Sequence, residues 1–242
     1  MGKYKNRAEL KNEAKELLRG RWKEAILLNM VPVLLTIIGM AIALSAVAFV
    51  QLKTGVFSEM GMNYDSLSTE NSGSTSSGII SAFLTVGISF TFLDWLREPE
   101  MRIRPLKHAF QVFTKKYFLG TLLIYILTTI FTLLWAILFV VPGIIKSFSY
   151  SQAYLIYKDR KVLSGDDKVS ALDCITESRK MMDGHKWEFF VLELSFIGWG
   201  ILSILSFGIG FLWLNPYANA TYAAFYKNLT ENSGYDDSME AF

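Results

Sequence analysis

The sequence predicts an all-α membrane protein: six transmembrane helices arranged as three hairpins, each hairpin preceded by an amphipathic helix on the cytoplasmic surface. Three observations carry that expectation. Of 242 residues, 52% are hydrophobic and 14% aromatic, more apolar than an ordinary soluble domain. The stretches 26–52, 79–96, 118–141 and 189–214 each approach or exceed the ~20 residues that cross ~30 Å of hydrocarbon, and the shorter segments 144–157 and 217–229 complete the hairpins. Finally, when the polar segments are assigned alternately to the two sides, 22 of the 24 Lys and Arg residues fall on the side of the N-terminus. Only Lys53 and Lys146 fall on the other. The positive-inside rule then places both termini in the cytoplasm.

Composition also excludes. A single cysteine, Cys174, rules out an internal disulfide, and with only His108 and His185 no His/Cys metal framework can be drawn. The polar pieces between apolar stretches run to about 20–30 residues, too short to bury a core of their own. The basic charge follows membrane sidedness and gives no reason to expect nucleic acid.

Taken in order, residues 1–25 read as a basic amphipathic helix. Asn6 and Glu9 resemble a capping box, and Leu10, Ala14, Leu17, Leu18, Trp22 and Ala25 recur at helical spacing opposite Lys11, Lys15, Arg19 and Lys23. The apolar run 26–52 is longer than the ~7–15-residue core of a signal peptide and is expected to stay in place as a span. A polar, Ser- and Gly-rich flexible loop is expected over 53–78, on the extracytoplasmic side. Residues 79–96 return, with Ser81, Ala82, Gly87 and Ser89 allowing a neighbouring helix to approach.

Leu106, Ala109, Phe110, Phe113 and Tyr117 suggest a second surface helix starting at Pro105. A span follows over 118–141, and Val141-Pro142-Gly143 reads as a tight turn. The descending segment 144–157 is polar for a membrane helix. Ser164-Gly165-Asp166-Asp167 reads as a turn, Ser170 and Asp173 as the start of a third surface helix, and Leu172, Ile175, Ser178 and Met182 as its apolar stripe. After the last long run, Asn215-Pro216 is expected to turn the chain, and 230–242 to form a disordered tail.

The chain also matches itself. At an offset of 164 residues Gly20 meets Gly184, Glu24 meets Glu188 and Asn29 meets Glu193. Near an offset of 70, Lys116-Tyr117 meets Lys186-Trp187, and Tyr157-Lys158 meets Tyr226-Lys227. Three units, about 7–97, 106–158 and 170–229, are the expected repeats of a single membrane domain.

The lead-in K-x-x-A-x-x-x-L-x-G-x-W of the first unit, with G-H-K-W-E-F-F-x-L-x-L-S-F-I-G-W through N-P-Y-x-x-A-T-Y-x-x-F-Y in the last, resembles an uncharacterised family of integral membrane proteins from Gram-positive bacteria, known as a domain of unknown function. The Val141-Pro-Gly-Ile turn also resembles that of the membrane domain attached to some glycerophosphodiesterases. The resemblance implies a bacterial plasma membrane and brings no catalytic residues with it.

Several residues are candidates for chemistry. Arg19, Arg21, Lys23, Lys115, Lys116 and Lys186 stand at membrane entries and are expected to meet anionic lipid headgroups at the cytoplasmic face. Glu193 lies about one turn inside the boundary. It reads as a rim carboxylate paired with Lys186 or a nearby arginine, against the alternative of a functional intramembrane acid. Asp94, beside Arg97, reads as a rim ion pair. Lys146 has a stem long enough to snorkel to the outer surface. Ser149 and Gln152 on one returning helix, and Asn219 on the other, should avoid lipid. Interhelical hydrogen bonding is the favoured use, and lining a cavity the competing one.

No nucleophile elbow, metalloprotease motif or phosphate-binding loop occurs, and no cofactor is expected. The sequence therefore points to a non-enzymatic membrane protein that interacts with membrane lipids, their anionic headgroups at the cytoplasmic face, or with a membrane protein partner. A small-solute or lipid transporter stands as the alternative, and a membrane-embedded lipid-modifying enzyme as a weaker one.

Overall fold

The computed structural model describes residues 4–54, 74–138, 140–163 and 169–232. Among these, every regular element is a helix. They are α1 (Arg7–Leu18), α2 (Trp22–Thr54), α3 (Ser74–Arg97), α4 (Pro105–Ala109) followed by a 3-10 turn (Phe110–Phe113), α5 (Phe118–Leu138), α6 (Val140–Tyr150), α7 (Ala153–Leu163), α8 (Ala171–Met181), α9 (Lys186–Leu205) and α10 (Phe211–Asn232).

Four helical stretches are long and apolar enough to cross a membrane: Trp22–Ala46, Gly78–Arg97, Phe118–Ile137 and Lys186–Leu205. Three of them expose most of their surface. Ile37, Ile38, Met40 and Ile42 on α2, Leu133, Leu134 and Ile137 on α5, and Ile197, Ile201 and Ile204 on α9 all stand outward. So much contiguous apolar surface is compatible with a membrane setting. In contrast, α3 is central, burying Phe83, Leu84, Ile88, Phe90, Phe92, Leu93 and Trp95 against its neighbours.

The capping box at the start of α1 is present. Glu9 N donates to Asn6 Oδ1 at 3.0 Å, and Asn6 N to Glu9 Oε2 at 2.7 Å. Leu10, Ala14 and Leu18 form its buried face. Gly20 then leaves the helix with φ 79°, and Gly184 does so after α8 with φ 84°, the left-handed conformation that glycine adopts without a Cβ clash. These are the two glycines that align at the 164-residue offset.

The short helices are distributed in a regular way. α4 packs on α2 and α3, α8 packs on α5, α6 and α7, and α1 packs on α10. Thus α4 and α8 each cover helices that precede them in the chain, while α1 covers the last helix.

Several expectations are corrected. Asn215-Pro216 does not turn the chain: Pro216 lies inside α10. The reversal sits at 206–210, where Phe207 and Gly208 take φ 54° and 85° and Gly208 N donates to Ser203 O at 2.9 Å. Pro216, the sixth residue of α10, leaves the Leu212 carbonyl without its helical donor and does not end the helix. Pro142 and Gly143 likewise belong to the first turn of α6, and Gly143 sits directly against Ala136 of α5.

The segment 144–157 is not one helix. It breaks at Ser151 and Gln152 into α6 and α7, where hydroxyl and amide side chains compete for backbone groups. Six long helices are therefore not what the length and apolarity of the elements give. The second surface element is only partly α-helical, giving way to the 3-10 turn, and Leu172, expected in the stripe of α8, is 52% exposed. Thr54 ends α2 and Ser74 begins α3, so the expected loop 53–78 is helical at both edges, and its middle, 55–73, lies outside the described residues. The turn at 164–167 also lies outside them. Helix α10 reaches Asn232, and the remainder of the expected tail, 233–242, is not among the described residues.

Candidate functional site

The charged residues nearest the centre of the bundle gather where α3, α7 and α10 meet. One helical turn of α3 carries Asp94 and Arg97, and α7 carries Lys158 and Asp159 side by side. The expected pairing of Asp94 with Arg97 is replaced by a crossed arrangement. Arg97 donates through Nη1 to Asp159 Oδ1 at 2.6 Å and through Nη2 to Oδ2 at 2.8 Å, a bidentate fork. Tyr226 Oη on α10 donates to the same carboxylate at 2.7 Å. Lys158 Nζ donates to Asp94 and, at 2.6 Å, to Phe90 O.

Lys158 and Asp159 are both 2% exposed. Around this centre Lys227 Nζ reaches Glu13 Oε1 and Leu96 O, each at 3.4 Å, and Lys5 pairs with Glu13 at 2.8 Å. Four helices, α1, α3, α7 and α10, are thereby joined by charge. In the sequence this cluster left two traces, Asp94 close to Arg97 and the repeated Tyr-Lys pair at 157–158 and 226–227.

The expected headgroup cations divide into two groups. Arg21 is committed to the protein: its guanidinium donates to Pro99 O and Met101 O at 2.6 Å, contacts Glu24, and lies 4.7 Å from the centroid of the buried Trp95 ring. Lys186 is tied to Asp183 at 3.3 Å, and the exposed Lys116 stands 5.3 Å from the Tyr117 ring. By contrast Arg19, Lys23 and Lys115 are exposed and pair with no acid among the described residues. Leu27 on α2, and Phe118 and Leu119 on α5, are exposed within four residues of these cations.

The intramembrane candidates are mostly used in packing. Ser178 of α8 fills the break between α6 and α7: its hydroxyl donates to Ser149 O at 2.7 Å and accepts from Gln152 N at 3.2 Å. All three residues are buried. Asn219 Nδ2 donates to Asn29 Oδ1 at 2.7 Å, linking α10 to α2. Lys146 Nζ lies over the Trp135 ring at 4.9 Å, a cation–π contact across the fold-back of α5 and α6. Glu193 is half-buried, and the expected partner Lys186 is engaged elsewhere; no ion pair or hydrogen bond reaches this carboxylate from the described residues.

A groove of about 380 Å³ opens between α5 and the α6–α7 segment. Tyr125, Thr128, Thr129, Thr132 and Leu133 line one side, and Ser147, Tyr150, Ser151 and Tyr154 the other.

A family model described as "Protein of unknown function (DUF975)" matches residues 1–154 and 140–233. The chain belongs to this family. Membership agrees with the resemblance to a domain of unknown function carried by the lead-in and return motifs and assigns no activity to any residue. Neither the curated proteins nor the solved structures contain a match.

Proposed function

We propose that this DUF975 member is a six-span protein of the bacterial plasma membrane with both termini in the cytoplasm, built from three repeated units, and that it acts without catalysis by engaging anionic lipids and a membrane partner at the inner face. One observation carries the lipid reading. Arg19, Lys23 and Lys115 are exposed and unpaired among the described residues, and each precedes exposed apolar side chains of a helix long enough to span. Charge followed directly by oil is the arrangement an interface requires, and each well-placed cation contributes about 1 kcal/mol toward anionic lipid.

The repeat draws support from the matched left-handed glycines, from the placement of α1, α4 and α8, and from Trp95, Tyr157 and Tyr226. These three large aromatics are buried near the ends of α3, within α7 and near the end of α10. In the six-span reading α6–α7 and α10 are the second and third returning segments. Transport through a polar cavity, the alternative, draws on the unpartnered Glu193. Packing is favoured because the Asn219 side chain bonds to Asn29 on another helix and the backbone of Ser149 and Gln152 bonds to the Ser178 hydroxyl.

The test uses the full chain in nanodiscs. Arg19→Gln, Lys23→Gln and Lys115→Gln together should lower retention of phosphatidylglycerol against phosphatidylcholine by at least about tenfold, and unchanged retention would remove the lipid reading. A single reporter cysteine at Ser72 in a Cys174→Ala background should react only from outside the cell. Reaction from the cytosol would sink the six-span topology.

A further inference from the structure

The groove between α5 and α6–α7 is out of keeping with its surroundings. Its α5 wall lies within the Phe118–Ile137 stretch, whose other faces carry Leu and Ile. Tyr125, Thr128, Thr129 and Thr132 follow the spacing i, i+3, i+4, i+7, and so do Ser147, Tyr150, Ser151 and Tyr154 opposite. The first set occupies one face of α5, and the second, carried on both sides of the break between α6 and α7, faces it across the groove.

Only some of these hydroxyls are satisfied within the protein. Thr128, Ser147 and Ser151 donate to backbone carbonyls within their own segments. Those of Tyr125, Thr129, Thr132 and Tyr150 make no hydrogen bond to the described residues. Much of the wall is methyl and ring carbon. No charged residue lines the groove; the nearby ammonium of Lys146 is turned over Trp135.

We propose that this groove binds an uncharged glycerolipid of the diacylglycerol type, with its ester and hydroxyl oxygens against Thr129, Thr132, Tyr125 and Tyr150 and the start of a chain along the carbon wall. Unpartnered hydroxyls at membrane depth favour a ligand that brings its own acceptors and donors. A charged headgroup would lose hydration and find no counter-ion. The volume is in the range of ordinary ligand sites, about 300–1,000 Å³, enough for the glycerol region and too small for a whole lipid. This site is separate from the basic inner face, and its occupant differs in charge.

The experiment places the full chain in phosphatidylcholine nanodiscs doped equally with diacylglycerol and phosphatidylglycerol, and reads retained lipid by native mass spectrometry. Retention of diacylglycerol is expected, reduced at least about tenfold in Thr129→Val/Thr132→Val/Tyr150→Phe, which removes three hydroxyls with little change of shape. The Arg19→Gln/Lys23→Gln/Lys115→Gln variant should retain diacylglycerol as wild type does, so failure of the inner-face reading is distinguishable. Equal retention by the hydroxyl-deleted protein, wild-type retention of water alone, or displacement by free glycerol in place of lipid would each overturn the proposal. Should the triple variant fail to fold, Thr132→Phe, which fills the groove while leaving the other hydroxyls, must also abolish retention.

Discussion

Replacing Asp159 by alanine is the most informative single perturbation of the charged centre. Removing one member of a buried ion pair costs about 3–5 kcal/mol, because the partner is left without compensation. Here the Arg97 side chain is 39% exposed while that of Asp159 is 2% exposed. Water can take over part of the guanidinium's solvation, which puts the ionic loss near the lower figure, about 3 kcal/mol. Tyr226 also loses this acceptor, adding about 1 kcal/mol. The expected total, about 4 kcal/mol, corresponds to an unfolding constant raised by nearly a thousandfold.

Tyr226→Phe, which removes one hydrogen bond to a charged group, should cost about 1.5 kcal/mol. Arg97→Lys, which keeps the charge and loses the fork, should fall between the two variants. The assay is reversible unfolding of the full chain in mixed micelles, with SDS as the denaturant and helix content followed by circular dichroism. A free energy for Asp159→Ala within 1 kcal/mol of wild type would show that the bidentate geometry does not hold α3, α7 and α10 together.

Two further outcomes follow from packing and burial. At Gly120 any Cβ would overlap the ring of the buried Tyr157, whereas at Gly198 it would meet nothing within 4 Å; Gly120→Ala should therefore cost about 1–3 kcal/mol and Gly198→Ala should be neutral or stabilise α9 by up to about 1 kcal/mol. Equal melting temperatures of the two variants in detergent would contradict the close approach of α5 and α7. Burial pushes the Cys174 thiol from its ordinary 9.0 up to about 12, so its contribution to stability is intact below pH 9 and declines as pH rises from there toward 12. At pH 8 a soluble maleimide should label the native protein slowly and the SDS-unfolded protein fully; fast native labelling would place Cys174 outside the core.

Much of the local structure was legible because its causes are local. The Asn6–Glu9 cap and the stripe of Leu10, Ala14 and Leu18 depend on residues within a turn or two of one another. The apolar lengths of α2, α3, α5 and α9 could be counted directly. Where a signal was ambiguous in kind, expectation and structure parted. Pro216 was read as a turn residue, yet Gly208 supplied the reversal and left proline inside α10. The serines and Gln152 marked something unusual in the returning segment, but that they break it depends on Ser178, more than 25 residues further along.

The sequence alone settled that the chain is helical, apolar enough for a membrane, and a member of a family whose activity is unassigned. Tertiary structure decided the partner of each polar group. Arg21 was as plausible a lipid contact as Arg19 until the segment 98–104 folded against it, and Asp94 was beside Arg97 in sequence but met Lys158 in space. The physical reason is one of range. Helix formation is governed by neighbours three or four residues apart, whereas a charge or a hydroxyl binds whatever the packing of distant helices brings within about 3 Å.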